Sequence, residues 1–426
     1  MFRLLKLFFT RIFKTGTLFV EAPDGRILEV GDRTGNPVSL KIEDRGAALR
    51  LLYDPSLALG ELFMNRRITL SQGNIYDFLT LTWRNLGLAE PPGPAKILAH
   101  ARRAARRFFQ INDASRAKRN AAHHYNLNGR LYDLFLDSDR QYSCAYFEHP
   151  HQSLDDAQQA KKRHIAAKLH LHPGARVLDI GSGWGGLALY LDEVCDAHVT
   201  GITLSEEQLA VSRQRAAHSR NTTFRLQDYR DVTDSFDRIV SVGMFEHVGL
   251  PYYDSFFKKA HALLREDGVM LLHTIGRIDV PGGTNAWMAK YIFPGGYVPA
   301  LSDMMPSIER AGLIVTDVEV LRLHYAETLH SWRERFMANR AAAEALYDDR
   351  FCRMWEYYLA ACETAFRFGN LVVFQIQLTK ELAALPITRD YILESESRLQ
   401  QKERRLQARS GLELPLGSAA NSRASA

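Results

Sequence analysis

The sequence predicts an α/β fold with a doubly wound, mostly parallel sheet, preceded by a small α+β amino-terminal domain. From about residue 174, strand-like runs alternate regularly with helical ones, which is typical of βα units around a parallel sheet. The first run, "ARVLDIGSG", is largely apolar, as expected of a strand buried on both faces. Residues 17–82 instead alternate short apolar stretches with turns, and Asp24-Gly25 in "GTLFVEAPDGRILEVGD" is a strong hairpin signal.

The α/β part continues in order after its first strand. The helix "WGGLALYLDEVC" leads to the strand "HVTGITL", and the helix "SEEQLAVSRQRAAHS" follows, with Ser205 and Gln208 spaced as a capping box. The strands "TTFRLQD", "DRIVSVGM" and "GVMLLHTIG" come next, with the helix "PYYDSFFKKAHALL" before the last of them. The helix "SDMMPSIERAG", the strand "IVTDVEVL", helical stretches around 325–368 and the strand "LVVFQIQL" complete the predicted sheet.

Composition divides the chain into four predicted regions. Residues 1–95 form the small amino-terminal domain, which ends at the proline-rich "LAEPPGPAK". Residues 96–120, basic and alanine-rich, are predicted to be a helical linker, and residues 121–394 form the α/β domain. Residues 395–426 are charged and then small and polar, which is typical of a disordered tail.

The charge and cysteine patterns narrow the classes of function. The net charge is only +5 over 426 residues, but the segment from Lys96 to Arg130 contains nine Lys or Arg and only one acidic residue, Asp113. Such a block favours an anionic partner, either nucleic acid or lipid headgroups. The four cysteines form no C-x-x-C pair, so the sequence predicts no disulfide framework and no metal site, and a cytoplasmic location.

The amino terminus, "MFRLLKLFFTRIFKTG", predicts an amphipathic helix with two open interpretations. Lys6 and Arg11 interrupt its apolar run, which argues against a signal peptide. The helix either lies in a membrane interface or docks on its own domain with a solvated basic face. On a helical wheel the polar side holds Arg3, Lys6, Thr10, Arg11 and Lys14, and the apolar side holds Leu5, Phe8, Phe9 and Ile12.

A glycine-rich loop follows the first strand of the α/β part. "GSGWGG", from Gly181 to Gly186, matches G-x-G-x-x-G between a strand and a helix, where glycines let the backbone approach a ligand. Asp179 completes D-x-G-x-G, which resembles the first motif of S-adenosylmethionine (SAM)-dependent methyltransferases. The second strand lacks the ribose-binding acid of dinucleotide enzymes and offers Thr203, Ser205 and Gln208 instead.

The fourth strand ends in "SVGMFEHVGL", which places Glu246 beside His247 at the edge where α/β sheets bind ligands. The Asn/Asp-Pro-Pro-Tyr/Phe stretch of nucleic-acid amino-methyltransferases is not found at this position. Glu246 is therefore a candidate for the reaction centre, with capping of the next helix as the alternative. For His247, packing or capping is favoured over catalysis.

Across residues 120–380 the sequence resembles the cyclopropane-fatty-acyl-phospholipid synthases and the related mycolic acid cyclopropane synthases. The resemblance rests on stretches that occur in order, including "HHYNLNGRLYDLFLDSDRQYSCAYF", "VLDIGSGWGGLA", "DRIVSVGMFEHVG", "KYIFPGG" and "YYLAACETAF". It implies a Rossmann-like class I SAM-dependent methyltransferase that transfers a methylene group to the cis double bond of an acyl chain in a membrane phospholipid. Methylation of the same bond to a methylene- or methyl-branched chain is the alternative.

The resemblance also implies a bound bicarbonate as the general base. The alkene is itself the nucleophile, so the site needs a dry, cation-tolerant cavity and a mild base. Cys362 matches a cysteine discussed as catalytic, but structural burial on an apolar helix is favoured. For Cys144 simple burial is the alternative. The positions that match the bicarbonate site are Cys144, Glu246, His273, Tyr325 and the main chain of Ile275.

For the cofactor, the resemblance implies a site built from the loops after successive strands. The expected contacts are Tyr125, Tyr142 and Ser143 closing over SAM, Gly181 and Gly183 near its methionine end, Thr203 and Gln208 at the ribose, and Asp228 and Tyr229 by the adenine. Asp179, Leu204 and Ser205 are expected to bind the cofactor as well. Tyr291 and Phe293 are candidates for the wall of the acyl channel.

The expected partners are lipids. The amino-terminal domain resembles the family's lipid-binding domain, and an anionic membrane surface would suit the basic block, with the protein on the inner face of the membrane. The family also suggests a homodimer. A nucleic-acid binder is disfavoured because no RNA-binding signature accompanies the basic block. An inactive lipid-binding protein is disfavoured because this sequence has a matching residue at every position that the resemblance implies for SAM and bicarbonate.

Overall fold

The computed structural model describes residues 1–87, 97–98, 101–102, 110 and 129–410 of the chain. Most of the predicted basic linker, Tyr125 and residues 411–426 lie outside the described residues. The described part contains one sheet of four strands and one of seven.

The amino-terminal region is a small α+β unit built on the four-stranded sheet, in the order β2-β1-β3-β4. The predicted hairpin at Asp24-Gly25 is confirmed, because β1 and β2 pair antiparallel on either side of it. Its elements are α1 (Phe2–Ile12), β1 (Thr17–Glu21), β2 (Ile27–Gly31), β3 (Val38–Ile42), α2 (Arg45–Tyr53), α3 (Pro55–Met64), β4 (Ile68–Gln72) and α4 (Ile75–Leu86).

Helix α1 docks on its own domain, as the second interpretation of the amino terminus predicts. Leu5, Phe9 and Ile12 are buried in the core, and Phe13 follows them, its ring 5.9 Å from that of Phe9. Burial of each large apolar side chain contributes about 1.5–3 kcal/mol, which favours this docked position. The predicted apolar side of the helix is therefore the side that faces the protein.

The seven-stranded sheet has the predicted doubly wound topology, in the order β10-β11-β9-β8-β5-β6-β7. Strands β5 to β9 are mutually parallel, and β11 lies antiparallel between β9 and β10. The order reverses between β5 and β8, so the crevice at their carboxyl ends is the expected ligand site. The strands are β5 (Arg176–Ile180), β6 (His198–Thr203), β7 (Thr222–Leu226), β8 (Phe236–Val242), β9 (Leu264–Arg277), β10 (Ile314–Leu321) and β11 (Leu371–Thr379).

Helices cover both faces of this sheet because successive strand residues point to opposite sides. Leu178 and Ile239 pack with the helices Tyr253–Leu263 and Leu301–Arg310, whereas their neighbours Val177 and Val240 pack with the helices Leu154–Lys168 and Gly186–Cys195. The helices are α5 (Gly129–Asp133), α6 (Leu154–Lys168), α7 (Gly186–Cys195), α8 (Glu206–Arg215), α9 (Tyr253–Leu263), α10 (Ala286–Tyr291), α11 (Leu301–Arg310), α12 (His324–Ala338), α13 (Arg340–Leu346), α14 (Asp349–Phe368) and α15 (Asp390–Ser410).

One continuous core joins the amino-terminal region to α12 and α14. Phe63 of α3 packs against Tyr357 of α14, with their ring centroids 6.2 Å apart. The buried carboxylate of Glu61 accepts hydrogen bonds from Lys290 at 2.6 Å and from Tyr291 at 2.8 Å. The two sheets are thus held together by both apolar packing and a buried polar contact.

The expectation of disorder from residue 395 is wrong as far as Ser410, because α15 continues to that residue. Its inner face carries Ile392, Leu399 and Leu406, seven residues apart, which a charge-rich composition conceals. Glu403 accepts a hydrogen bond from buried Arg163 at 2.5 Å, which anchors the helix on α6. The expectation for residues 411–426 lies outside the described residues.

Candidate active site

A cavity of about 170 Å³ with both polar and apolar lining, here called the cofactor cavity, lies at the carboxyl ends of β5, β6 and β8. All the predicted cofactor positions except Tyr125, which is outside the described residues, lie around this one cavity. They are Tyr142, Ser143, Asp179, Gly181, Gly183, Thr203, Leu204, Ser205, Gln208, Asp228 and Tyr229.

The glycine loop after β5 adopts a conformation that side chains disfavour. Gly181 has φ of +86°, and a Cβ there would approach Met244 to 2.9 Å. Gly183 has φ of +54°, but a Cβ there would meet no protein atom within 4 Å. Gly183 therefore borders open space in the cavity, directly before the amino terminus of α7, where backbone amides favour an anionic or polar ligand.

The loop after β6 is held by its own side chains. Thr203 Oγ1 donates to Gln208 Oε1 at 3.0 Å, and Ser205 caps α8 by accepting from the Gln208 amide at 3.3 Å. Half of the predicted capping box is therefore present, because the Ser205 amide donates to Thr203 Oγ1 and not to the Gln208 side chain. Because these contacts fix the Gln208 carboxamide, its NH₂ group keeps a defined direction beside the cavity.

Asp179, at the end of β5, is 2% exposed, and its Oδ2 atom has no hydrogen-bond partner among the described residues. Burial raises the pKa of this carboxyl to about 7. A buried carboxylate without a donor is costly, so this atom is suited to a ligand that brings its own donor or positive charge.

The sequence reasoning missed Lys161, which lines the same cavity from α6. Its Nζ donates to Gln141 Oε1 at 2.7 Å and to Ser143 Oγ at 2.8 Å. In "AKKRHIAAK" this residue resembles any helical surface lysine. A weak signal was its position on a helix with many small residues, which allow close packing.

A second cavity, of about 600 Å³ and mainly apolar lining, extends from this site to α1 and α4; we call it the apolar cavity. It includes Phe8 and Phe9 at one end and Glu246 and His273 at the other. The residues that line both cavities are Tyr142, Ser143, Gly243 and His247. We refer to these four as the junction, since a group passing from one cavity to the other would cross there.

All the positions predicted for the bicarbonate site line the apolar cavity: Cys144, Glu246, His273, Ile275 and Tyr325. Glu246 lies in a 3-10 turn, Phe245–His247, directly after β8. Its Oε1 accepts from the Ile275 amide at 2.6 Å, and its Oε2 has no partner within the described part of the chain. Burial raises the pKa of Glu246 to about 7.

His273, on β9, is 2% exposed and held in one orientation. The Gln375 amide nitrogen lies 3.1 Å from Nδ1, and because an amide nitrogen only donates, Nδ1 is the acceptor. Burial keeps the pKa of His273 well below its ordinary value. With the Gln375 carboxamide in this orientation, the neutral ring carries its proton on Nε2, which makes that atom a hydrogen-bond donor.

His247 is neutral as well, because burial lowers its pKa to about 4. Its ring lies 6.1 Å from that of Phe293, which lines the apolar cavity as predicted. Tyr291, the other candidate for the channel wall, points elsewhere, with its hydroxyl bound to Glu61. Tyr291 is turned away from the cavity by its contact with Glu61 of α3. The sequence around Tyr291 and Phe293 does not reveal this contact, because Glu61 lies in a distant segment.

Both cysteines of interest carry protonated thiols. Cys144 is 1% exposed, its Sγ lies 3.3 Å from the Ala145 carbonyl oxygen, and burial raises its pKa above the ordinary value. Cys362 lies on α14, packs partly buried against the core and also lines the apolar cavity, so the prediction that its role is structural and not catalytic stays a prediction. Burial nevertheless raises its pKa to about 12, which leaves no thiolate near neutral pH.

The fold and the cofactor cavity together define a class of enzyme. A doubly wound sheet with an acid and a glycine loop at the end of β5, and an open cradle at Gly183, is the arrangement of a class I SAM-dependent methyltransferase. A family model described as "Mycolic acid cyclopropane synthetase" matches residues 112–376. The chain belongs to this family.

The relatives agree with that membership. The chain is 38% identical over 344 residues to the cyclopropane-fatty-acyl-phospholipid synthase of Escherichia coli K12, covering 81% of this chain and 88% of that protein. It is 43% identical over 283 residues to a probable fatty acid methyltransferase of Pseudomonas putida, covering 63% and 72% respectively.

Solved structures show the same fold. The cyclopropane synthase MmaA2 from Mycobacterium tuberculosis is 32% identical, with a TM-score of 0.59, and the match covers 63% of this chain and 99% of that one. The mycolic acid cyclopropane synthase CmaA1, solved in complex with SAH and CTAB, is 37% identical with a TM-score of 0.58, over 61% of this chain and 97% of that one.

Proposed function

We propose that this enzyme forms cyclopropane fatty acyl phospholipids from membrane phospholipids that carry a cis double bond. The observation that carries the proposal is the junction, where the cofactor cavity, lined by residues suited to SAM, meets an apolar cavity suited to an acyl chain. The name of the E. coli relative, whose match covers 81% of this chain, supports a phospholipid as substrate. In the reaction, SAM supplies the methyl group to the alkene and bicarbonate accepts the proton lost as the ring closes.

The residues of this chain contribute by excluding water and stabilising positive charge. Tyr142 and Tyr358 are joined through their hydroxyl groups at 2.9 Å beside the junction. Tyr325 packs against Phe366 at 4.7 Å between ring centroids, and both line the apolar cavity. Aromatic faces attract a developing cation without reacting with it.

The same cavity offers a cradle for a small anion. His273 Nε2 is a donor, as argued above, and the Tyr325 hydroxyl is a second potential donor. Glu246 keeps Oε2 without a partner among the described residues, so that oxygen is available to accept from a hydroxyl group of the anion. These features support bicarbonate as the base, with no side-chain base required.

A vesicle assay tests the reaction. Purified enzyme is incubated with SAM and vesicles of dioleoyl phosphatidylglycerol, with vesicles of the saturated dipalmitoyl lipid as control. Mass spectrometry should show unsaturated chains heavier by one methylene unit, and NMR should show loss of their olefinic hydrogens. No mass change in either lipid would contradict the proposal.

The same assay separates the alternative product. Methylation without ring closure also adds one methylene unit when the proton is lost from a different carbon. A methylene-branched product then shows new vinylidene signals, and a methyl-branched product, which is still unsaturated, shows a methyl doublet and keeps olefinic hydrogens. This second function is supported by the name of the P. putida relative, a probable fatty acid methyltransferase. Bicarbonate is tested by depleting the buffer of carbon dioxide, which should lower the rate until bicarbonate is restored.

We further propose that α1 binds an anionic membrane surface, so that the enzyme lies on the inner face of the membrane. The outer face of α1 exposes Leu4 by 54% and Leu7 by 66%. The exposed basic residues beside them are Arg3, Lys6, Arg11 and Lys14. Each basic residue near anionic headgroups contributes about 1 kcal/mol, and no helix in the described part of the chain is long and apolar enough to cross a bilayer.

A contiguous rim supports this orientation. The Lys14 amide donates to Asn85 of α4 at 2.7 Å, Trp83 of α4 packs against Gly369, and the Ile278 amide donates to Asn370 at 3.0 Å. Ile278 is 64% exposed and belongs to the loop after β9 that lines the apolar cavity. The apolar cavity is thus bordered by exposed apolar side chains that a lipid surface would cover.

Flotation with anionic vesicles tests the surface. The double variant Leu4→Gln/Leu7→Gln should bind vesicles more weakly, whereas Leu382→Gln/Leu393→Gln, which removes two exposed leucines far from the cavity lining, should not. Equal loss for both double variants would refute a specific role for α1. Binding of RNA in a gel shift without vesicle binding would reverse the choice of partner.

A further inference from the structure

Lys161 is a fully buried ammonium group that the proposed reaction does not use. It lies on α6, is 0% exposed and lines the cofactor cavity. Burial of a charged group without a counterion is strongly unfavourable. The position of this lysine therefore calls for a negative charge nearby.

The neighbouring lysines of α6 show how such a charge is normally met. Lys162 is buried too, and pairs with Asp139 at 2.7 Å. Lys168 is 1% exposed and pairs with Glu319. Lys161, by contrast, has no ion pair within 4 Å in the described part of the chain, and its two hydrogen bonds go to the neutral oxygens of Gln141 and Ser143.

Asp179 presents the opposite situation on the wall of the same cavity. It is almost fully buried, and its Oδ2 has no hydrogen-bond partner among the described residues. One cavity thus contains a buried ammonium that acts on Asp137 and Asp139 only beyond ion-pair distance, and a buried carboxylate oxygen without a donor among the described residues. A ligand that carries both charges on one carbon, such as an α-amino acid group, complements this pair.

We propose that Lys161 binds the α-carboxylate of the methionine end of SAM, while Asp179 accepts hydrogen bonds from its α-ammonium. The two contacts fix how far the cofactor extends along the cavity. Ser143, which accepts a hydrogen bond from Lys161, also belongs to the junction. Lys161 therefore connects the amino-acid end of the cofactor to the wall that the transferred methyl group crosses.

Ionisation of the two groups supports the arrangement. Burial lowers the pKa of Lys161 to about 8 and raises that of Asp179 to about 7. The form that binds a zwitterion, with Lys161 charged and Asp179 ionised, is most populated between those values. Affinity should therefore fall below pH 7 and above pH 8. The other groups that face Lys161 are Asp137 and Asp139 after α5, Lys162 on α6, Cys144 and His273.

The test compares SAM with its decarboxylated analogue, which keeps the sulfonium, the ammonium and the adenosine. Binding is measured by isothermal titration calorimetry without lipid, so that no turnover occurs. The wild-type enzyme should bind SAM about 10- to 100-fold more tightly than decarboxylated SAM, as expected for a charged hydrogen bond. Lys161→Met should bind the two with nearly equal affinity.

A structural role for Lys161 predicts a different pattern. If the lysine only holds residues 141–143 against α6, Lys161→Met should weaken the binding of SAM and of decarboxylated SAM equally. The ratio of the two affinities would then stay as in the wild type, and this result would overturn the proposal. Lys161→Arg, which keeps the charge, should keep most of the discrimination. If Lys161→Met does not fold, the wild-type ratio decides: equal affinity for the two ligands excludes a carboxylate contact. The alkaline decline in SAM affinity should be smaller in Lys161→Met than in the wild type, because only deprotonation of the α-ammonium of SAM then contributes to it.

Discussion

The cofactor cavity and the apolar cavity meet at four residues but are built differently. The cofactor cavity is formed mainly by short segments that follow strands β5 to β8, together with residues 140–143 and Lys161 of α6. The apolar cavity collects side chains from Phe8 to Leu371, most of them apolar, and Glu246, His273 and Tyr325 are among its polar groups. The first is suited to hold a charged ligand firmly, and the second to exclude water around a reaction that creates charge.

The largest effect is expected from Glu246→Gln, which changes the polar end of the apolar cavity alone. An amide NH₂ replaces an acceptor oxygen, so the contact to the anion is lost. The turnover number should fall by about 10²–10³, as for loss of one stabilising group in an active site. SAM affinity, measured by calorimetry, should change little, and a parallel loss of SAM affinity would mean that the two cavities are not functionally separate.

Gly183→Leu should produce the reciprocal effect. The side chain would extend into open space of the cofactor cavity from a residue with φ of +54°, where a non-glycine residue costs about 1–2 kcal/mol. Affinity for SAH should fall by about 100-fold or more because the side chain occupies ligand volume. Binding of a fluorescent fatty acid to the apolar cavity should persist. Loss of both ligands together would indicate unfolding, which circular dichroism would detect.

The cofactor cavity could be predicted almost completely, and the reason is physical. Parallel strands end at one edge of the sheet, so residues just after β5, β6 and β8 must converge there. Lys161 was missed because it reaches that edge from a helix, and a lysine in a helical stretch looks like a surface residue. Tertiary packing, not local sequence, decides that it is buried.

The apolar cavity was less predictable because its walls depend on contacts between distant segments. The resemblance supplied Glu246 and His273, but Phe293 and Tyr291 could not be told apart without knowing that Glu61 binds one of them. Helix α15 was missed for a similar reason. Its apolar residues repeat within a charge-rich segment, and the buried Arg163 that anchors it lies 240 residues earlier.

The two cavities should also be distinguishable by pH. Burial raises the pKa of Glu246 to about 7, so the folded state binds a proton more tightly than the unfolded state. The free energy of unfolding should therefore fall as pH rises from about 4.5 to 7. Glu246→Gln should remove up to about 3 kcal/mol of that decline. Urea unfolding at pH 5 and pH 8 measures it.

The exposed Glu43→Gln variant serves as the control for this measurement. It should keep the wild-type difference in unfolding free energy between the two pH values. Asp179 provides a second comparison, because burial raises its pKa to about 7 as well. Part of the change in unfolding free energy with pH comes from Asp179 and is lost in Asp179→Asn, and saturating SAH should reduce that part. The part that comes from Glu246, which is lost in Glu246→Gln, should be unaffected by SAH.

The smallest effect is expected from Cys362→Ala. The thiol lines the apolar cavity, but with a pKa raised to about 12 it supplies neither a nucleophile nor a base near neutral pH. The turnover number should stay within about threefold of the wild type. Cys362→Leu also lacks the thiol but fills cavity space, so it should raise the KM for the lipid more than Cys362→Ala does. A catalytic thiol would instead make both variants equally inactive, because what matters then is the sulfur and not the volume it occupies.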